Sequence, residues 1–300
     1  MPRCVSALVG TVSVRAVVTG ANHTLAVGHC GGLWACGRGR CGQLGNGGFN
    51  DLGPLQRVES LRSVRIVAAA AGGAHSLALA DNGEVWSFGE ARQGRLGQGV
   101  AATNAAAWEP GSAVPARVQL PDWCASDRVV DVAAGGHHSL LRTASGRLLA
   151  CGRGRHGALG LGDAADRHTP QEVLLTCSRS TKRGKCACHA GGVQRGRAVA
   201  MAAGRDHTLV LTACGTVLTA GFNGHGQLGT GDTASSLTFI RPALPGTERI
   251  VAVAAGEGHS AAVAADGTVF MWGRGDWGQL GCGTYRSRWT PAPLPGGLRV

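Results

Sequence analysis

Val253-Ala254-Ala255-Gly256-Glu257-Gly258-His259-Ser260, followed by Gly267, by Trp272-Gly273 and by Gly278-Gln279-Leu280-Gly281, decides the fold because the chain repeats it. His23, His75, His138 and His207 head four further copies. A glycine stands three residues before each histidine, at 20, 72, 135, 204 and 256. Others stand eight residues after it (31, 83, 146, 215, 267) and fourteen after it (37, 89, 152, 221, 273). A G-x-L-G box begins at nineteen, at Gly42, Gly94, Gly157, Gly226 and Gly278. The histidines themselves lie 52, 63, 69 and 52 residues apart. Fixed spacing inside a unit and elastic spacing between units is the mark of a stacked repeat with loop insertions. What recurs in every copy is architectural, so function is sought where the copies differ.

Each unit reads as short strands. In the third copy, Val129-Val130-Asp131-Val132-Ala133-Ala134 stops at Gly135, Ser139-Leu140-Leu141 follows the histidine, and Arg147 to Cys151 closes at Gly152. Apolar residues recur two positions after the histidine (Leu25, Leu77, Leu140, Leu209, Ala261) and ten after it (Leu33, Val85, Leu148, Val217, Val269). Short apolar runs bounded by glycine are strand signals, and no capped helical periodicity competes with them. Three or four strands per repeat make a propeller blade, which must lean on its neighbours. The expected fold is therefore an all-β propeller forming one domain over 1–300. Its units span about 14–60, 63–125, 128–175, 198–246 and 249–297, with insertions at 100–127 and 176–197.

The pattern A-G-x-x-H-[ST]-L, G-x-[VL], G, G-x-L-G-x-G resembles the regulator of chromosome condensation family of seven-bladed propellers. The likeness runs from about Val14 to about Pro295. Five full units are present where that family's ring has seven. A smaller closed ring, a ring with degenerate blades and a part of a longer chain all fit the pattern. Val12 to Val18 reads as an opening strand, and Leu298-Arg299-Val300 resembles the first strand of a further unit. The family includes an exchange factor for the small GTPase Ran that also binds nucleosomes, propellers joined to ubiquitin-ligase domains, and an ultraviolet-B photoreceptor. The photoreceptor type carries Trp-Arg before its His-Thr pair. Here those slots hold Ala21-Asn22, Gly73-Ala74, Gly136-His137, Arg205-Asp206 and Glu257-Gly258.

The chain has 300 residues and a formal net charge of +11, with lysine only at Lys182 and Lys185 among its 29 basic residues. Guanidinium groups stay ionised and suit phosphates and carboxylates. No run of 18 apolar residues is present, so no membrane helix is expected. Eleven cysteines form no disulfide framework; Cys36 and Cys151 take apolar strand slots. This usage points to a reducing compartment, cytoplasm or nucleus. Arg3 and Arg15, with no acid in the first 50 residues, weakly resemble an organellar import segment.

The copies differ most in the loop before the G-x-L-G box. It carries Arg38 and Arg40; Glu90 and Arg92; Arg153, Arg155 and His156; Phe222, Asn223 and His225; Arg274, Asp276 and Trp277. Equivalent propeller loops share one face, so six arginines are expected on one rim with only Glu90 and Asp276 against them. The 176–197 insertion adds Arg179, Lys182, Arg183 and Lys185 on a segment without apolar periodicity, expected to be a mobile basic arm. It also holds Cys177, Cys186, Cys188 and His189, which have the donor atoms of a zinc site without a familiar ligand spacing. The segment 100–127, with Trp108, Pro110, Pro115, Pro121 and Trp123, is expected to lie irregularly against the propeller.

Three G-x-G-x-x-G strings, Gly37 to Gly42, Gly152 to Gly157 and Gly273 to Gly278, run into more strands instead of a helix. They are read as inter-strand loops and not as dinucleotide cradles. The repeated histidines are expected to fix the first two strands of each blade. No catalytic constellation, cofactor or metal is assigned. The residues point to a non-enzymatic interaction module that docks an acidic protein, chromatin or a nucleic-acid backbone through the rim and the arm. The family's alternative is nucleotide exchange on a Ran-like small GTPase.

Overall fold

The structure, a computed structural model, describes residues 13–99, 111–176, 180–181, 184–185, 196–245 and 249–297. Its framework is five four-stranded antiparallel sheets, each a meander whose strand order follows the chain. The first contains β1 (Val14–Thr19), β2 (His23–Gly28), β3 (Leu33–Gly37) and β4 (Leu52–Arg57). The second contains β5 (Ile66–Ala71), β6 (His75–Ala80), β7 (Val85–Glu90) and β8 (Gly111–Arg117). The third contains β9 (Val129–Ala134), β10 (His138–Thr143), β11 (Leu148–Gly152) and β12 (Arg167–Val173). A two-residue pairing of β13 (Ser180–Thr181) with β14 (Gly184–Lys185) follows. The fourth sheet is β15 (Ala198–Ala203), β16 (His207–Thr212), β17 (Val217–Gly221) and β18 (Ser236–Ile240). The fifth is β19 (Ile250–Ala255), β20 (His259–Ala264), β21 (Val269–Gly273) and β22 (Arg288–Pro293). Only short 3-10 turns interrupt this among the described residues.

No single core exists. Four apolar clusters lie between successive sheets, each fed from both sides. Between the first and second sheets, Leu25, Val27 and Leu33 meet Ile66, Ala78, Ala80 and Phe88. Leu77, Leu79 and Val85 meet Val129, Val132, Leu141 and Leu149 at the next joint. Leu140, Leu148 and Ala150 then face Ala198, Val210 and Leu218, and Leu209, Leu211 and Val217 face Ile250, Ala262 and Phe270. The period of two along each strand thus feeds two different joints with alternate side chains. At the innermost strands, alanines such as Ala70 and Ala133 keep that packing close. Contacts run from each sheet to the next, and among the described residues no comparable set joins the fifth to the first. The five sheets form an open arc.

The structure corrects the reading of the histidines. His23, His75, His138 and His207 do not tie strands of their own sheet. Each Nε2 reaches the hydroxyl that follows the next sheet's histidine: Ser76 at 2.9 Å, Ser139 at 2.9 Å, Thr208 at 2.9 Å and Ser260 at 3.0 Å. The imidazoles are the bolts between sheets.

Two insertions also differ from expectation. Within 100–127, Gly111–Arg117 is an ordinary outer strand, and Val118 and Cys124 are buried in the second joint. Its Pro115 hid the strand. Outer strands are sheet edges, where proline is tolerated because one row of N–H groups needs no ladder partner. Pro54, Pro170 and Pro291 occupy outer strands in the same way. Within 176–197 the short pairing of β13 with β14 stands where no structure was expected.

Candidate functional site

An antiparallel meander places the turns between first and second strands, and the loops between third and fourth strands, at the same end of every sheet. Glycine makes the two meet. At Gly37 the backbone has φ +104°, and a Cβ would stand 2.6 Å from the Asn22 carbonyl. Past that glycine, the next N–H donates back to the turn. Arg38 donates to the Asn22 carbonyl, Glu90 to Ala74, Arg153 to His137, Phe222 to Asp206 and Arg274 to Gly258, at 2.8 to 3.0 Å. The first residue of each variable loop is therefore pinned to the inner rim by a backbone geometry that recurs in every unit. The turns themselves link across the axis: Ala21 N–H donates to the Gly72 carbonyl, Gly73 to Gly135, Gly136 to Gly204 and Arg205 to Glu257. They border a cleft of about 950 Å³, lined also by Arg38, Glu90, Arg95, His137, Arg205 and Glu257.

The rim carries more carboxylate than the sequence suggested. Arg40 lies 3.8 Å from Asp51, Arg92 lies 4.0 Å from Glu90, and Arg153 lies 3.7 Å from Asp206. Arg274 holds Asp276 at 2.7 Å, and Arg205 spans Asp206 at 3.6 Å and Glu257 at 2.8 Å. The Arg274 guanidinium keeps the Asp276 carboxyl below its ordinary range. Asp51, Asp206 and Glu257 were not counted against the rim because they come from neighbouring turns or the far end of the loop. Among the described residues Arg38 and Arg155, both exposed, form no such pair. With Arg286 of the fifth sheet's loop, likewise exposed and unpaired among the described residues, they are free cations of the rim, and Trp277, 78% exposed, and Tyr285, 76% exposed, offer aromatic surface there.

One rim residue was missed altogether. Arg95 occupies the variable slot of the second G-x-L-G box, where the other copies have Gln43, Ala158, Gln227 and Gln279. It is buried, and its guanidinium donates to Glu90 at 2.7 Å and to Gln93 Oε1 at 2.7 Å, with His137 Nδ1 at 3.1 Å. Burial lowers its pKa while Glu90 opposes that shift. The sequence did carry a signal, an arginine in a slot otherwise given to glutamine or alanine.

That slot governs the loop beside it. Gln43, Gln227 and Gln279 each accept, through Oε1, the N–H of the residue two positions earlier: Cys41 at 2.9 Å, His225 at 3.0 Å and Trp277 at 2.8 Å. Where Arg95 or Ala158 replaces glutamine, the same residue turns left-handed, Gln93 at φ 61° and His156 at φ 62°. These are the only non-glycine residues with positive φ among the described ones, a conformation that costs an L-residue about 1–2 kcal/mol. The turned His156 ring sits 5.0 Å from Phe222, which in turn lies 6.1 Å from His225. The rim over the second to fourth sheets is thus where the repeat departs furthest from itself.

The residues that flank the 176–197 insertion lie at the other end of the sheets. Its ends meet where Gly196 N–H donates to the Leu175 carbonyl at 2.7 Å. Arg197 Nε donates to the Ser145 carbonyl at 2.7 Å, beside the turn between second and third strands. Arg179, Lys182 and Arg183, like Cys177, Cys186, Cys188 and His189, lie outside the described residues; Lys185 falls in β14. Among the described residues no group of three or more His, Cys, Asp or Glu is placed to hold a metal. The three G-x-G-x-x-G strings lie in loops that lead to β4, β12 and β22.

The regulator of chromosome condensation (RCC1) repeat matches residues 31–79, 82–141, 145–211, 215–263 and 266–300, nearly the whole chain. The chain belongs to the RCC1-repeat family. This is a family of propeller interaction modules, and the first four matched repeats each run from the third strand of one sheet to the second strand of the next, out of step with the sheets themselves. The chain is 32% identical over 294 residues to the ultraviolet-B receptor UVR8 of Arabidopsis thaliana, covering 98% of this chain and 60% of UVR8. It is 34% identical over 271 residues to the E3 ubiquitin-protein ligase HERC2 of Homo sapiens, covering 89% of this chain and 5% of HERC2. It therefore spans less than two thirds of each of these relatives. Among solved structures it is similar to human WBSCR16, with a TM-score of 0.78, 24% identity and coverage of 95% of this chain and 67% of that one. Prp20p of Saccharomyces cerevisiae gives 0.57 and 20% identity over 95% of this chain and 77% of that one. At those identities the structural likeness speaks for the fold.

Proposed function

We propose that this RCC1-repeat arc is a non-enzymatic docking module whose inner rim receives an acidic protein or a chromatin-like partner. The observation that carries the reading is the set of exposed guanidinium groups unneutralised among the described residues, Arg38, Arg155 and Arg286, on a rim where Arg40, Arg92, Arg153, Arg205 and Arg274 are paired. Each is fixed by a loop that the repeat geometry holds rigid, so little ordering is left for binding to supply. Trp277 adds an exposed anchor of the kind that dominates interfaces. The solved structure of Prp20p is reported with its binding to Gsp1p and histones, which supports a protein or chromatin partner for a related face. The arm, rooted on the opposite face, makes a second and separate contact.

The test is a titration of nucleosome core particles with the purified chain at rising salt. Affinity falls steeply with salt if phosphate or carboxylate is engaged. The Arg38→Ala/Arg155→Ala double variant binds more weakly and with a shallower salt slope. A salt-independent affinity, or a double variant that binds like the parent, removes the rim from the interface.

A second reading, nucleotide exchange on a Ran-like GTPase, is supported by the same Prp20p likeness, since that protein is reported to bind Gsp1p. Release of labelled GDP from such a GTPase separates the two. Acceleration by substoichiometric amounts of this chain establishes exchange, and an unchanged rate leaves docking alone.

A further inference from the structure

The basic rim is interrupted at one place. Three of the five rim loops carry arginine directly after the glycine that ends the third strand (Arg38, Arg153, Arg274), and three carry it two positions later (Arg40, Arg92, Arg155). The fourth loop has it in neither position, where Phe222 and Gly224 stand instead. The third and fourth sheets each have a sheet packed on either side, so this stretch of rim is bounded within the described chain.

The Phe222 ring is held in place. Its own N–H donates to the Asp206 carbonyl at 2.8 Å. A Cβ on Gly224 would collide with the ring, so the glycine clears the space that the ring occupies. From the third sheet, the left-handed His156 brings its imidazole to 5.0 Å from Phe222 at a tilt of 52°. His225 stands edge-on to Phe222, at 6.1 Å and 84°. All three rings are half-buried, which leaves part of each open to a partner. Arg155, next to His156 in the chain, is exposed and unpaired among the described residues.

Two chemistries suit a basic rim, and this stretch favours one of them. A single strand of nucleic acid needs successive ring faces for its bases and cations along its phosphates. Here the rings are steeply tilted to one another, and the loop that such a strand would cross has lost both arginines. One apolar side chain laid against Phe222, with the imidazoles as walls, fits the arrangement better. A carboxylate beside it meets Arg155. Interfaces draw most of their energy from a central desolvated anchor ringed by polar contacts.

We infer that the rim over the third and fourth sheets selects, among acidic partners, a protein segment with one aromatic or large aliphatic anchor flanked by carboxylates. The anchor covers Phe222 beside His156 and His225, and a flanking carboxylate pairs with Arg155. This rests on the docking reading above and adds the side chain by which one acidic partner is told from another.

Fluorescence anisotropy with two labelled heptapeptides is the test, one of glutamate throughout and one with phenylalanine at its centre. The wild-type chain binds the phenylalanine peptide at least about tenfold more tightly, the gain expected from burying an aromatic ring. Phe222→Ala abolishes that preference and leaves the all-glutamate peptide bound as before, which shows that the variant's rim is intact. Phe222→Arg, which restores the residue used by the other loops, binds the all-glutamate peptide more tightly than wild type and has no preference. His156→Gly removes one wall and reduces the preference, while Arg155→Ala weakens both peptides by a similar factor. Equal affinity of the wild type for the two peptides overturns the inference and leaves the docking reading standing. So does a preference that survives Phe222→Ala, or a failure to bind either peptide by a chain that binds nucleosomes. A single-stranded oligothymidylate that binds more tightly than the phenylalanine peptide, and does so through Phe222, overturns it in favour of a nucleic-acid strand.

Discussion

His75 Nε2 and Ser139 Oγ stand 2.9 Å apart across the joint between the second and third sheets, 64 residues apart in the chain. Ser139 has one proton and spends it on the Arg95 carbonyl, 2.7 Å away. The hydroxyl can therefore only accept from the imidazole, and the tautomer follows: Nε2 carries the hydrogen and Nδ1 is bare. Nδ1 of His23, His75, His138 and His207 is buried without a hydrogen-bond partner, against the glycine three residues earlier. A neutral imidazole tolerates that position and an imidazolium does not, because its second N–H would be stranded away from water.

Replacing Ser139 by alanine strands both the His75 N–H and the Arg95 carbonyl in a dry joint. Each buried group left unpaired costs about 1–3 kcal/mol. Urea unfolding of Ser139→Ala should show a loss within that range for each, with the slope of the transition unchanged. Ser145→Ala on the exposed turn of the same sheet should lose much less. A Ser139→Ala midpoint equal to wild type contradicts the bolt.

The same geometry sets a pH dependence. Burial lowers His23 and His138 to about 4 and His207 to about 3, from an ordinary value of 6.5. His75 is lowered as well, by burial first and then by Arg95. A folded pKa below the unfolded one means that the unfolded chain binds more protons. Stability is therefore complete above about pH 6.5 and lost as pH falls toward 4 and below. Each histidine contributes about 1.4 kcal/mol per pH unit across its window. Chemical unfolding at pH 7, 6 and 5 measures the slope, and His207→Gln should reduce it by about one histidine's share. A stability independent of pH over that range would falsify the tautomer assignment.

The sheets were legible because the constraint that makes them is local. A turn with positive φ needs glycine and a joint needs alternating apolar residues, and both leave a period in the sequence. The joints were not legible, because the partner of His23 is Ser76 and nothing within one repeat shows that the hydroxyl belongs to the next. Gly111–Arg117 was missed for a different reason: Pro115 speaks against a strand unless that strand is known to be an edge. At the rim, the arginines were visible but their neutralisation was not, since Asp206 and Glu257 belong to turns of other units. Arg95 was visible only as an exception inside a motif read as structural.

That exception gives the last prediction. Glutamine in the box slot holds the preceding loop through its Oε1, and the two boxes without it have a left-handed residue instead. Ala158→Gln should therefore give the His156 N–H an acceptor and return His156 to negative φ. The slot has room, because Gln43 and Gln227 lie against Gly89 and Gly273 as Ala158 lies against Gly221. Relief of the left-handed residue is worth about 1 kcal/mol, and the new hydrogen bond adds to it. Thermal melts should show Ala158→Gln more stable than wild type. His156→Gly, which removes the strain without the hydrogen bond, should fall between them, because glycine's freedom in the unfolded chain offsets part of the gain. An Ala158→Gln chain no more stable than His156→Gly would mean that the box does not govern the loop. The turned His156 would then have to be explained by its contact with Phe222, and His156→Gly combined with Phe222→Leu would be the variant to measure.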